Sequence, residues 1–258
     1  MNNKSYKYIY GPVSSWRLGS SLGIDPVSGK RKICSFDCVY CQLGRTKIYS
    51  DERKIFVSVR EVIEEIDSLA PMEIDYITFS GRGEPTLAKN LGQIIKAIKK
   101  IRSERIAVLT NSSLMNKEDV RRDLSLADCV VVKLDAASGE VFETVNRPLE
   151  TIKFDTVIEG IKNFRSCYKG KFALQIMFVE ENKKHAEEIA KIAKEMKPDE
   201  VQINTPLRPC DVEPLSRAQL DVMKVFFEGL NTISVYEAEK KQVTPISNKE
   251  TLRRRGKI

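Results

Sequence analysis

At 258 residues, with 41% hydrophobic and 31% charged side chains, the chain has the composition of a well-cored globular protein, and no run of about 18 apolar residues is present to span a bilayer. The opening MNNKSYKYIY lacks the apolar core of an export signal, so the expected compartment is the cytoplasm, with no membrane partner. The net charge of +7 is local: residues 1–60 carry eleven Lys/Arg against four Asp/Glu, and the rest of the chain balances. That excess suits a polyanion such as RNA or a phosphorylated substrate, and the plainer alternative is that Lys30, Arg31 and Lys32 decorate an exposed loop.

In chain order, a first strand is expected within Leu22–Ile33. Ser58-Val-Arg-Glu61 is a capping box opening a helix whose apolar stripe is Val59, Val62, Ile63 and Ile66. Tyr76–Phe79 reads as a buried strand closed by Ser80 and Gly81, followed by a helix over Leu91–Ile101. Ile106–Thr110 is a strand, and a short helix capped by Asn116 follows. Cys129–Leu134 is the next strand, with a helix around Val157–Phe164. Phe172–Val179 (strand), Lys183–Met196 (helix) and Val201–Asn204 (strand) continue the alternation. A second capping box, Ser216-Arg-Ala-Gln219, opens a helix ending near Gly229, and Ile233–Tyr236 is the last short strand.

This makes about six β/α units of roughly 30 residues each, with strands apolar enough to be buried on both faces. The expected fold is α/β: a partial (β/α)6 barrel of parallel strands in one domain, with an N-terminal strand-and-loop region at 1–33, a core at 34–245 and a basic tail at 246–258. In such folds ligands lie at the carboxyl ends of the strands. Here those ends are Ser80–Pro85, Asn111–Ser113, Asp135–Ala137, Glu180–Asn182 and Thr205–Cys210.

Three of the six cysteines fall within eight residues, in the run ICSFDCVYC that starts at Ile33. In a reducing compartment clustered thiols read as metal ligands or catalytic groups. Structural zinc asks for four ligands, commonly as two close pairs, whereas CxxxCxxC supplies only Cys34, Cys38 and Cys41. The one histidine, His185, sits in a Glu/Lys-rich helical segment and reads as solvated. A disulfide would leave an odd thiol. Three thiolates on a tight loop suit a 4Fe–4S cube, one iron corner each, with the fourth iron open to an exogenous ligand. A second candidate, SGRGEPTL (Ser80–Leu87), directly follows a strand. Its glycines permit close backbone approach and Glu84 can pair with an ammonium; a plain turn with Pro85 opening a helix is the alternative.

With Tyr40 directly before the last cysteine, this pattern resembles the radical S-adenosylmethionine superfamily, and SGRGEPTL resembles that family's glycine-rich site. The resemblance implies one 4Fe–4S cluster on Cys34, Cys38 and Cys41, with the amino and carboxylate groups of S-adenosylmethionine on the open iron. It implies reductive cleavage to methionine and a 5′-deoxyadenosyl radical that abstracts a substrate hydrogen. Cofactor-binding roles carry over to Gly81, Gly83 and Glu84, to Tyr40 as a wall, and to Thr110 and Asn111, where Ser112 replaces a frequent glycine. They extend to Asp135 in VKLDA, where Lys133 replaces a small polar residue. Arg82 and Lys133 are candidates for an anionic substrate group, with plain solvent exposure the alternative for Arg82. Asn146-Arg147-Pro148 matches a family turn with a structural role.

Three rim residues after the sixth strand are candidates by position. Asn204 is placed to meet the adenosine, Arg208 to anchor an anionic cofactor or substrate group, and Cys210 to act catalytically as a hydrogen-atom donor or ligand, or as a bystander. Cys129 reads as a core residue, and Cys167 ends a helix without a partner.

Tyr10–Val27, the cysteine loop and FSGRGEPTL together resemble iron–sulfur oxidoreductases related to the archaeal and eukaryotic tRNA wyosine synthetases. That implies tRNA or another anionic substrate. No cysteine precedes Cys34 and no flavodoxin-like domain is recognisable. One cluster and an external donor of ferredoxin or flavodoxin type are therefore expected, and the wyosine reaction itself does not carry over. ETLRRRGKI reads as a solvated basic tail, or as an RNA contact through Arg253, Arg254 and Arg255. Three functions compete: radical chemistry on a tRNA base, the same chemistry on a small metabolite, cofactor precursor or protein side chain, and a non-catalytic electron carrier. An amino-acid clamp at Ser80–Glu84 argues against the last.

Overall fold

The computed structural model describes residues 6–29, 31–239 and 241–256, and among them one eight-stranded sheet organises the chain. Strand β1 (Ile9–Ser15) runs antiparallel to β2 (Gly19–Ile24). From β2 the order continues in parallel through β5 (Tyr76–Phe79), β6 (Arg105–Thr110), β7 (Cys129–Lys133), β8 (Lys171–Met177), β9 (Glu200–Asn204) and β10 (Thr232–Ser234). Two short strands, β3 (Ile33–Cys34) and β4 (Ile48–Tyr49), pair separately beneath the cysteine loop. The crossovers are α1 (Val59–Asp67), α2 (Leu91–Ile101), α3 (Glu118–Leu124), the pair α4 (Gly139–Asn146) and α5 (Phe154–Cys167), α6 (Ala186–Met196) and α7 (Arg217–Val225). These make six β/α units, and β1 and β10 stand at opposite ends of the strand order, so the barrel is partial. A last helix, α8 (Asn248–Arg255), packs against β1. Among the described residues no helix is long and apolar enough to cross a membrane.

Most elements fall where apolar periodicity predicts them. Both capping boxes form, with Ser58 and Ser216 each accepting from the backbone of the residue three positions on. The core runs through the whole sheet, with Phe79, Phe164, Phe172 and Phe178 fully buried.

Four places differ. The first parallel strand is Gly19–Ile24, starting ahead of the expected window. Its small residues give no apolar run, and Ser21 is satisfied instead by a 2.7 Å hydrogen bond with Thr78. Helix α3 starts at Glu118 rather than being capped by Asn116; Lys117 holds the cap position without a side-chain bond. Helix α4, capped by Ser138, is too short at 8 residues for its periodicity to announce it. The C-terminal segment is not a solvated tail. Ser247 caps α8, and Arg254 is only 2% exposed because it ion-pairs with Glu250 and with Asp25 at 3.4 Å. An element buried through charge rather than an apolar stripe leaves no hydrophobic signal.

Candidate active site at the carboxyl ends of the strands

The cysteine loop is clamped onto the end of β5 by backbone. Ile33 N–H donates to the Arg82 carbonyl at 3.2 Å, and Glu84 N–H donates to the Ile33 carbonyl at 3.2 Å. A Cβ on Gly83 would lie 1.7 Å from that Ile33 oxygen, so only glycine fits there. Gly81 takes a φ of 132°, and a Cβ there would sit 2.6 Å from the Asp25 carboxyl carbon. Both glycines therefore serve a close approach between chain segments: Gly83 to Ile33, the residue that precedes Cys34, and Gly81 to Asp25.

Each thiol has its own polar neighbour from a different part of the chain. Asn111 Nδ2 lies 3.6 Å from Cys34 Sγ, Asn146 Nδ2 lies 3.6 Å from Cys38 Sγ, and Lys32 Nζ lies 3.0 Å from Cys41 Sγ. All three thiols are half-buried and line one cleft of about 270 Å³. Burial pushes Cys34 up to about 12 and Cys38 up to about 11, so neither is a free thiolate at neutral pH. A bound cation overrides that cost by ligating the thiolate directly, which is the chemistry this donor set offers.

Glu84, 2% exposed, lines the same cleft and gathers the strand ends around it. Its Oε1 accepts from Thr86 N–H at 3.0 Å, Thr86 Oγ1 at 2.8 Å and Thr110 Oγ1 at 2.7 Å, while Oε2 accepts from Asn111 N–H at 2.7 Å. Burial pushes its pKa up, and the Asn111, Thr110 and Thr86 donors oppose that by favouring the charged form. Asn111 also donates to Ser35 Oγ at 2.9 Å, tying this bracket to the cysteine loop. Ser112 adopts a φ of 73°, the left-handed region that favours glycine, and its hydroxyl donates to the Lys133 carbonyl at 3.0 Å.

Tyr40 forms a wall of the cleft, with its hydroxyl donating to Asp135 Oδ2. The Asp135 carboxylate also accepts from Met177 N–H at 2.7 Å and Asn146 Nδ2 at 2.9 Å, and Lys133 Nζ lies 3.0 Å away. Asp135 thus stands behind Tyr40 and orients it rather than facing the cleft. Lys133 does face it, 4.8 Å from the Tyr40 ring centroid. Leu109, Val131, Gln175 and Met177 complete the wall.

The remaining candidates lie apart from the thiols. Arg82 donates to the Gly29 carbonyl at 2.7 Å instead of reaching the cleft. Asn204 and Arg208 line an adjoining chamber. The Cys210 thiol donates to the Val212 carbonyl at 3.1 Å and lines neither space, although Arg45 joins its loop to the cysteine loop through Asp211 at 3.1 Å. Of the basic triplet, Lys30 lies outside the described residues, Arg31 is exposed, and Lys32 is 5% exposed with its ammonium on Cys41 and on the Gly44 carbonyl at 2.8 Å. Charge counting assigns Lys32 to the surface; nothing in the sequence marks it as inward. Asn146 was marked in the sequence only as part of a structural turn; its contacts with Cys38 and Tyr40, more than 100 residues away, were not readable there.

The arrangement has counterparts. The family model described as the Radical SAM superfamily matches residues 31–203. The chain is 43% identical over 216 residues to the UPF0026 protein slr1464 of Synechocystis sp., covering 83% of this chain and 80% of that one. It is 37% identical over 231 residues to the UPF0026 protein MJ1312 of Methanocaldococcus jannaschii, covering 87% and 71%. Among solved structures, Streptococcus suis SuiB bound to S-adenosylmethionine superposes with a TM-score of 0.64 at 14% identity. That match covers 84% of this chain and 50% of SuiB, and shows the shared fold. With the family match running from just ahead of the thiol loop into β9, the chain belongs to the radical SAM superfamily of enzymes, among its UPF0026 proteins.

Proposed function

We propose that Cys34, Cys38 and Cys41 hold one 4Fe–4S cluster whose open iron takes S-adenosylmethionine, and that the enzyme activates a C–H bond of an anionic substrate, foremost a tRNA base. The observation that carries this is the three thiols of one loop lining a single cleft that also contains the Glu84 carboxylate. Among the described residues, no three His, Cys, Asp or Glu side chains close on one point as a single ion would need. Held by these residues, a cluster and S-adenosylmethionine would supply one-electron chemistry able to abstract a substrate hydrogen.

The protein's part is to hold and to exclude. Asn111, Asn146 and Lys32 fix the three sulfurs, and Glu84, kept in place by its four donors, offers a fixed negative charge to an ammonium. Tyr40, Leu109, Val131 and Met177 give the cleft apolar walls that keep water from a reactive carbon radical. Exposed Arg31, Arg45 and Lys47 surround the loop and suit an acidic external electron donor of ferredoxin or flavodoxin type. A second reading, the same chemistry on a small phosphorylated molecule, is favoured by the adjoining chamber, which at about 490 Å³ has the size of a small-molecule site.

Anaerobic reconstitution should give about four irons and four sulfides per chain, and Cys38→Ala should lose them. With dithionite and S-adenosylmethionine, 5′-deoxyadenosine should accumulate. Tight zinc binding without sulfide would overturn the assignment.

A further inference from the structure

Past Tyr40, Cys41 and Met177 the cleft continues into the chamber of about 490 Å³, which lies between elements from the two edges of the open sheet. Tyr10, Ser14, Ser15, Trp16 and Arg17 wall it on the β1–β2 side, Asn204 to Arg208 on the β9 side, and α8 contributes Arg254 and Arg255. Among the described residues its lining holds four arginines and no carboxylate.

One of the four, Arg254, is neutralised by Asp25 and Glu250. The other three are not paired in this way among the described residues. Arg17 leaves its Nε buried without a hydrogen-bond partner. Burial, then the charges of Arg255 and Arg208, push Arg17 down to about 10. Glu200, whose charge acts the other way on Arg17, is itself held by Lys171 at 2.7 Å. Burial and then Arg255 push Arg208 down to about 10, and burial also lowers Arg255. Arg208 donates to the Arg255 carbonyl at 2.9 Å, joining the loop after β9 to α8. Mutually repelling cations drawn out of water are unfavourable unless an anion completes them. Planar guanidinium forks match the several acceptor oxygens of a phosphate.

We propose that Arg17, Arg208 and Arg255 form a phosphate-binding subsite that docks the phosphate of the substrate while its reacting carbon lies toward the thiol cleft. The inference rests on reading that cleft as the site of radical chemistry. Trp16 lines the same wall, its ring stacked 5.0 Å from the Arg17 guanidinium.

Inorganic pyrophosphate, titrated calorimetrically into the reconstituted full chain, is the probe. Wild type should bind it, and Arg17→Gln, Arg208→Gln and Arg255→Gln should each weaken binding at least tenfold. Arg208→Lys should retain part of the affinity. Arg253→Gln, on the exposed face of α8, should change it less than twofold. Equal binding by wild type and all three variants, or no binding by wild type, would overturn the subsite. Competition of pyrophosphate with unmodified tRNA identifies a polynucleotide phosphate, whereas competition with a nucleoside monophosphate alone identifies a small one. Production of 5′-deoxyadenosine is read separately. A chain that makes it yet binds no pyrophosphate keeps the chemistry and loses the subsite, and the reverse result loses only the chemistry.

Discussion

Lys32 is one residue of a basic triplet in the sequence and a thiol partner in the fold. Its ammonium sits 3.0 Å from Cys41 Sγ and 3.8 Å from Asp37, on a side chain that lines the thiol cleft. Hydrogen bonds and positive charge at a ligating sulfur favour the reduced state of an iron–sulfur centre. Lys32→Met should therefore make the reconstituted chain harder to reduce. A redox titration followed by electron paramagnetic resonance should show a more negative midpoint, and an unmoved midpoint would count against this contact. The thiols and Glu84 were legible because their chemistry is written in residue type and spacing. Lys32 and the contacts of Asn146 were not: Lys32 turns inward through the way its own loop folds back to Cys41 and Gly44, and Asn146 reaches Cys38 and Tyr40 across the chain.

Asp25 is a second inward charge. Burial pushes its carboxyl up to about 6, even with Arg254 beside it. The folded chain thus keeps this proton to a higher pH than the unfolded chain does. Its contribution to stability is most favourable below about pH 4 and is lost as pH rises through about 6. Relative to Asp25→Asn, the stability of wild type should fall between those limits in urea denaturation, and a difference constant with pH would contradict the assignment.

Among the elements, α8 is where the sequence is least informative and the structure most so. Its three consecutive arginines look alike, yet Arg253 is exposed, Arg254 is buried in ion pairs and Arg255 faces the chamber. Helical spacing separates them by about 100° each, so one run of like charge serves three environments. Removing one partner of a buried pair leaves the other uncompensated. Arg254→Met should cost about 3–5 kcal/mol, and the Arg254→Met/Asp25→Asn double variant should recover much of it. Denaturant midpoints of the four proteins in that cycle check the claim. The capping boxes of α1 and α7 were readable because a cap is a local device, whereas the anchorage of α8 is wholly long-range.

For the whole molecule, the alternation of apolar strands with amphipathic helices was enough to specify a partial parallel barrel, because right-handed crossovers leave few other arrangements. It was also enough to expect the candidate residues at the carboxyl ends of the strands, where the three thiols and Glu84 line one cleft. It was not enough to show that the cleft extends sideways between the sheet edges, since that depends on how far the barrel closes. The site draws on β3 and the cysteine loop, the end of β5, the end of β6, α4 and β8, so a ligand held there links segments that otherwise meet only through the sheet. Adding S-adenosylmethionine to the reconstituted chain should raise amide-exchange protection at 33–42, 81–86 and 110–113 together. Protection confined to one segment would speak against a shared site.

Helix α8 has one more effect, on solubility. Strand β1 ends the sheet, and an unpaired strand edge invites another chain to add to it. The Gly11 N–H on that strand donates to Thr251 Oγ1 at 3.1 Å, and its carbonyl accepts from Ile246 N–H at 2.5 Å. Both backbone groups of Gly11 on this edge are thus already occupied by the helix and its lead-in. A chain that loses this segment would free the Gly11 backbone groups on the β1 edge, and should therefore self-associate more readily, as light scattering would show.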